Sequence, residues 1–290
     1  MKRYSLTIST TYFTNRGKEM RNILEAPFII ETIRTTANMY ALGWDERNSG
    51  NISLRLDETE VREYLDVTNV LRVLPIGFSA KGLAGRYFLV TATGSYFRNV
   101  QHDPAANLGV VRISEDGGSA ELLWGFAGGG RFTSEFPTHM MSHAVHLRAD
   151  PENRVIMHCH PNDLISMTHV HELDERAFTR TLWKMCTESI MVFPDGVGLL
   201  PWMPCGTVEI GEATAEKMSR SRLIIWALHG IYAAGRTLDE ACGLIETADK
   251  AANVYLKIAP FPVRNSITDL MLRKLASELG LNVREGYLED

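Results

Sequence analysis

The sequence predicts an α/β fold: a single αβα domain with a central, mainly antiparallel sheet covered by helices. Three observations carry this. Strand-like and helix-like segments are interspersed along the chain, but too irregularly for the strict alternation of a doubly wound parallel sheet. Residues 108–113 and 120–124 flank Glu115-Asp116-Gly117-Gly118 as the two arms of a hairpin, antiparallel by construction. No linker, internal repeat or low-complexity segment divides the 290 residues, a length that suffices for one substantial core.

The elements follow in order. Residues 1–19 are polar and weakly patterned, and Met20 offers an alternative start. They read as an N-terminal extension whose composition is compatible with disorder, with residues 20–290 as the domain. Ile29, Ile30, Ile33, Ala37, Tyr40 and Ala41 recur at helical spacing, so a helix should run from about Pro27 to Leu42 and stop at Gly43. An Asn- and Gly-rich turn over residues 44–51 precedes a half-buried strand at residues 52–56. The charged stretch 57–74 has room for a short helix. Residues 87–91 form a strand ending in the polar turn Thr93-Gly94-Ser95. After Gly128-Gly129-Gly130, Thr133-Ser134-Glu135-Phe136-Pro137 marks a helix start, with proline in the first turn and helix to about Leu147. Helices are expected over residues 162–169 and 172–186. A strand is expected at residues 189–193 and turns at 195–198 and 201–204. Residues 208–220 should be helical and 223–230 a buried strand. Thr237-Leu238-Asp239-Glu240 is a capping box opening a long helix that Pro260 stops. A last helix spans about 267–279 and ends at Gly280.

Composition narrows the function. The chain is 45% hydrophobic and 22% charged with net charge −5, and it has no basic excess of the kind nucleic acid attracts. No apolar run approaches the ~18 residues of a membrane span. The N-terminus lacks the apolar core of a signal peptide. Cys159, Cys186, Cys205 and Cys242 show neither Cys-x-x-Cys pairing nor framework spacing. A cytoplasmic protein with reduced thiols is the natural reading.

The chemistry centres on Arg154-Val155-Ile156-Met157-His158-Cys159-His160. A strand has period 2, so His158 and His160 share a face while Val155, Met157 and Cys159 take the other. Two imidazoles at i and i+2 can chelate one divalent ion. His229, closing its own apolar run before Gly230, is the candidate third ligand. Three neutral imidazoles with an open position suit a catalytic zinc. Turns at 48–51, 93–95 and 133–134 offer amides, hydroxyls and backbone N–H groups of the kind that hold phosphate without Lys or Arg. Glu135, at a helix start, and Glu188 are the candidate carboxylates.

Several stretches resemble the class II aldolase/adducin family. They are Gly43-Trp44-Asp45-Glu46-Arg47-Asn48, His102-Asp103-Pro104-Ala105-Ala106-Asn107-Leu108-Gly109, Thr133-Ser134-Glu135, Val155 to His160, Phe193-Pro194-Asp195-Gly196-Val197-Gly198 and Pro201-Trp202-Met203. The likeness runs from about residue 25 to about 280. Ser49, where glycine is expected, and the reordered Met203-Pro204-Cys205-Gly206 depart from the pattern without touching the metal. The resemblance implies retro-aldol cleavage of a phosphorylated ketose, with one Zn²⁺ per subunit on His158, His160 and His229 stabilising negative charge next to a carbonyl as a Lewis acid. It implies that Glu135 exchanges between the metal and a base role. It implies that Glu188 is a second acid/base reaching the site of a neighbouring subunit in a homotetramer. It places the phosphate on Asn48, Asn51, Ser95, Thr133 and Ser134. Other readings are another sugar-phosphate aldolase, a pentulose-5-phosphate 4-epimerase, a metal-free adducin-like interaction module, and a zinc hydrolase.

Overall fold

The structure is a computed structural model that describes residues 20–289. The extension expected over residues 1–19 lies outside them. In chain order the helices and strands are α1 (Pro27–Ala41), β1 (Asn51–Leu56), α2 (Glu58–Arg62), β2 (Arg72–Pro75) and β3 (Tyr87–Thr91), then α3 (Phe97–Val100), α4 (Pro104–Asn107), β4 (Leu108–Ile113), β5 (Ser119–Gly125) and α5 (Phe136–Ala149). They continue with β6 (Val155–Cys159), α6 (Asn162–Val170), α7 (Glu175–Met185), α8 (Thr187–Val192), β7 (Val197–Leu200) and α9 (Val208–Met218), then β8 (Leu223–Trp226), β9 (Gly230–Gly235), α10 (Leu238–Ile258) and α11 (Asp269–Leu279).

The strands make one nine-stranded sheet in the order β2-β5-β4-β3-β1-β6-β9-β8-β7. Only β7 and β8 run parallel; the other pairs are antiparallel. The expected mainly antiparallel sheet is therefore present, with helices on both faces. Val155, Met157 and Cys159 of β6, with Ile231 and Ala233 of β9, join the large core under α1, α6, α7 and α10. The alternate residues Ile156, Tyr232 and Ala234 pack with Ile210 and Met218 of α9. Farther along the sheet, Phe88 and Val90 pack with Phe136 and Met140 of α5. Helix α10 covers the β6–β9 centre because Ala241, Leu244, Ile245, Ala248, Ala251 and Ala252 fall on one face. Thr237 caps its first turn by accepting from the Glu240 N–H at 3.0 Å.

Three expectations need correction. Residues 189–192 are helical, inside α8 and not in a strand, and Phe193 is the C-cap of that helix. A short apolar run has no period to separate a buried strand from a buried helix turn, and Ile190 and Phe193 are both fully buried. The stretch expected as a turn at 195–198 contains the start of strand β7. The segment 223–230 is not one strand: β8 ends at Trp226 and His229 sits on the turn into β9. The short helix expected within residues 57–74 is α2, and the edge strand β2 follows it.

Strand β1 is buried along its whole length, where half-burial was expected. Its polar residues face a helix and not water. Ser53 Oγ lies 2.7 Å from His139 Nδ1 and 2.8 Å from His143 Nε2, both on α5. With His146 they form a row of buried imidazoles along one side of that helix. Burial holds His139 down to about 3 and His146 to about 4, from 6.5, and pushes His143 well below it. Such groups stay neutral in the fold but take protons in the unfolded chain below pH 6.5. Stability must therefore fall as pH drops through 6.5 toward the folded-state values. By pH 5 His139 and His146 should each have cost about 2 kcal/mol. Denaturant unfolding at pH 7 and pH 5 checks this: His146→Gln should lose about 2 kcal/mol less than the unmodified chain over that interval. Equal losses would assign the acid sensitivity to other groups.

Candidate metal centre

Three imidazoles meet where β6 ends beside the β8–β9 turn. The ring centroids of His158, His160 and His229 are 5.0, 5.2 and 4.9 Å apart, close to an equilateral triangle. One ligand nitrogen from each lies within 4.8 Å of the others. His158 is the fourth residue of β6, and His160 follows just past its end, with its N–H on Trp44 O at 2.9 Å. Their Nε2 atoms are 3.2 Å apart, so the same-face expectation from strand parity agrees with the geometry.

The chemistry of this pair tests the fit of a cation. His158 Nδ1 lies 2.9 Å from the Ile231 carbonyl oxygen, and His160 Nδ1 lies 3.0 Å from Glu46 Oε1. An oxygen acceptor at each Nδ1 assigns the proton there, which leaves Nε2 as a bare lone pair on both rings. Two lone pairs 3.2 Å apart repel unless a positive charge lies between them. Burial, with His160 and His229 nearby, pushes His158 well below the ordinary imidazole range. A shared proton is thus disfavoured and a metal ion fits.

His229 reaches this point through a strained turn. Leu228 before it has φ 63°, a left-handed conformation that costs a non-glycine residue about 1–2 kcal/mol. The turn is tied by the Leu228 N–H to Thr168 Oγ1 at 3.0 Å and by the His229 N–H to Trp226 O at 3.1 Å. Gly230 then passes directly beneath the pair. A Cβ there would lie 2.5 Å from Cys159 O, 2.8 Å from His160 Cδ2 and 3.0 Å from His158 Cε1.

Glu135 stands at the position just before the first turn of α5 and is buried. Its Oε2 is 3.7 Å from His158 Nε2 and accepts from Asn51 Nδ2 at 3.0 Å and from the Tyr232 hydroxyl. Tyr232 also stacks on His158, centroids 4.5 Å apart. Reading the sequence missed Tyr232. The signal was the hairpin: once β9 begins at Gly230, register pairs Tyr232 with His158 on the β6 strand.

The polar turns come together in part. Asp45 accepts from both the Gly50 and Phe97 N–H groups, which ties the 45–51 loop to the segment after Ser95. The Thr93 N–H donates to Arg131 O and the Thr133 N–H to Thr91 O. Ser95 is buried and donates to Asn107 Oδ1 at 2.8 Å; Thr133 is buried; Ser134 and Asn48 are exposed. Asn51 is already engaged through both ends of its amide, by Glu135 and by His139. Glu188 is not brought to the histidines. It is exposed in the first turn of α8, and the Cys186 thiol donates to it at 2.7 Å.

A large mixed sheet with a histidine triad at one end and a buried carboxylate beside it defines a metal-binding α/β enzyme domain. A family model described as the class II aldolase and adducin N-terminal domain matches residues 30–256. The chain is 56% identical to rhamnulose-1-phosphate aldolase of Listeria monocytogenes serovar 1/2a over 271 residues, 93% of this chain and 99% of that one. It is 54% identical to the enzyme of that name from Enterococcus faecalis, over 93% of this chain and 97% of that one. Among solved structures, a sugar-phosphate aldolase from Thermotoga maritima superposes with a TM-score of 0.71 at 32% identity, over 82% of this chain and 97% of that one. The chain belongs to the class II aldolase and adducin family, and it is a lyase of the aldolase type.

The Gly230 contacts generate a direct test. Gly230→Ala should drive β9 away from Cys159 and separate the histidine pair. Bound divalent metal, measured by elemental analysis after dialysis, should fall while far-ultraviolet circular dichroism stays unchanged. Full metal content in that variant would show that the close approach is not what sets the ligand geometry.

Proposed function

We propose that this protein is a Zn²⁺-dependent aldolase that reversibly cleaves L-rhamnulose 1-phosphate to dihydroxyacetone phosphate and L-lactaldehyde, in cytoplasmic rhamnose metabolism. The observation that carries it is the facing Nε2 pair of His158 and His160, with Glu135 against the same ring. High identity to relatives named for this reaction supports the substrate. No helix among the described residues is long and apolar enough to cross a membrane. Neither a membrane nor nucleic acid is assigned as a partner.

His158, His160 and His229 would hold the ion, one per subunit. When bound, it supplies a Lewis acid that stabilises negative charge at the ketone oxygen. The chain's own residues manage protons and position. In the cleavage direction the C4 hydroxyl gives up its proton, the C3–C4 pair moves toward the carbonyl, and C4 leaves as the aldehyde. Glu188 from an adjacent subunit of a homotetramer takes the hydroxyl proton. Glu135 returns a proton to the three-carbon fragment, which leaves as dihydroxyacetone phosphate. Asn51 and Tyr232 hold Glu135 at a fixed angle to His158. Asn48, Asn51, Ser95, Thr133 and Ser134 bind the phosphate with neutral donors, Asn51 at the border between that pocket and Glu135. Residues 20–290 make up the catalytic domain and residues 1–19 an extension to it.

A second reading within the family, fuculose-1-phosphate aldolase, rests on the same fold. The solved L-fuculose 1-phosphate aldolase is 17% identical with a TM-score of 0.58, which speaks to fold and not to sugar. A pentulose-5-phosphate 4-epimerase is the other family alternative. A coupled assay for dihydroxyacetone phosphate discriminates. L-rhamnulose 1-phosphate should be cleaved, activity should vanish with chelator and return with Zn²⁺, and L-fuculose 1-phosphate should react far more slowly. Chelator-resistant cleavage would sink the metal reading, and a preference for L-fuculose 1-phosphate would sink the substrate.

The shared site has its own test. Glu188→Ala should keep metal and fold but lose about 10²–10⁴-fold in kcat, the range of a general acid/base. Mixed and exchanged with His158→Ala subunits, it should regain activity at interfaces that pair an intact triad with an intact Glu188. Mixed tetramers that form and stay inactive would remove Glu188 from the neighbouring site.

A further inference from the structure

Glu135 begins a stripe along α5. His139 and His143 follow it at intervals of four residues, so the three side chains share one side of the helix. Both histidines are buried, and neither is among the three imidazoles of the metal centre. His139 touches both groups that hold Glu135. Its Nε2 is hydrogen-bonded to Asn51 Oδ1, and its ring meets the Tyr232 ring edge-on with centroids 5.7 Å apart.

The proton on each ring follows from the carboxylate. An ionised carboxylate only accepts, so Asn51 must turn Nδ2 toward Glu135, at 3.0 Å, and Oδ1 toward His139. An amide oxygen also only accepts, so His139 carries its proton on Nε2 and leaves Nδ1 bare. Ser53 Oγ, 2.7 Å from that Nδ1, has one proton and donates it there. The Ser53 oxygen then accepts from His143 Nε2 at 2.8 Å. The far end agrees: His143 Nδ1 has no hydrogen-bond partner among the described residues, and this direction leaves it a bare nitrogen instead of a buried N–H with nothing to accept it. Every proton in the line points toward Glu135. Reversing the line would set the Asn51 oxygen against the carboxylate.

We propose that His139 is a positioning residue for the cleavage reaction: as the neutral Nε2–H tautomer it locks the Asn51 amide with Nδ2 toward Glu135, and Ser53 and His143 hold that tautomer. This rests on the reading of Glu135 as the proton-transfer group beside the metal. Burial keeps His139 neutral, so it acts by the direction of its hydrogen bond and not by carrying a proton.

Two variants separate positioning from packing. His139→Gln places an amide N–H near the Nε2 position, whereas His139→Asn reaches only as far as Nδ1. In the Zn²⁺-loaded full-length enzyme, with L-rhamnulose 1-phosphate as substrate, His139→Asn should lose about 10–100-fold in kcat per bound metal ion, the usual scale for a group that orients a site from behind. His139→Gln should stay within a few-fold of the unmodified enzyme. Solid-state nitrogen NMR of the histidine-labelled unmodified protein, with His139 identified by its loss in His139→Gln, should show the neutral Nε2–H tautomer. Equal losses in the two variants, or no loss in His139→Asn, would overturn the role, and so would an Nδ1–H or doubly protonated His139. An unmodified, metal-loaded enzyme that cleaves no substrate would overturn the aldolase reading and the catalytic role of His139 with it, while the spectra still report the direction of the line in that protein.

Discussion

The site depends on one close approach, that of the β8–β9 turn to the end of β6. Two imidazoles with both Nδ1 protons donated to oxygen point bare lone pairs at each other across 3.2 Å. That arrangement is unfavourable in the protein alone, so the surrounding fold must impose it. Strand β6 is well placed to do so, because β1 pairs on one side of it and β9 on the other. Gly230 lets β9 start directly under the pair, where any side chain would meet Cys159 O. The left-handed Leu228 turns His229 inward, and Thr168 of α6 holds that turn by its hydroxyl. Local strain at a ligand turn, over-determined by neighbouring hydrogen bonds, is the pattern expected where geometry serves binding.

The same constraint orders the second face of the sheet. Polar residues of β1 would normally alternate toward water. Here Asn51 and Ser53 turn toward α5 and meet His139 and His143, so a hydrogen-bonded line runs from Glu135 through Asn51, His139 and Ser53 to His143. A buried carboxylate is costly unless its oxygens are satisfied. Asn51 and Tyr232 both donate to Oε2 and so fix which oxygen faces His158. The interior on this side is polar and packed at once, which links acid sensitivity of the fold to the row that supports the site.

Much of this was legible in the residues. Period 2 placed His158 and His160 on one face, Pro137 in the first turn placed Glu135 at a helix start, and Thr237 and Gly280 marked helix ends, as the caps at α10 and α11 bear out. The failures are equally physical. The run at 223–230 reads as continuous because Ala227 and Leu228 are apolar, and nothing in an apolar run announces that Leu228 takes a left-handed conformation. Missing that turn hid β9, and with it Tyr232. The run at 189–193 is short and mostly apolar, with Ile190 and Phe193 buried, so tertiary packing and not pattern made residues 189–192 helical. The double duty of Asn51 depends on a contact across 84 positions of sequence, which no local signal carries.

The two carboxylates show why one chain is not a complete catalyst on the proposed reading. Glu135 is buried at the start of α5 and held by two donors. Glu188 stands in solvent on another helix, and the Cys186 thiol holds its carboxyl below the usual range. That environment favours the ionised form and suits a base that accepts a hydroxyl proton. The reverse reaction asks the same group to deliver a proton to the aldehyde oxygen, which needs a higher proton affinity than an exposed carboxylate has. Covering Glu188 with a neighbouring subunit would remove solvent and raise that affinity. Assembly would then do two things at once: bring the second carboxylate to the metal, and shift its proton affinity toward the value that a reversible aldol reaction requires.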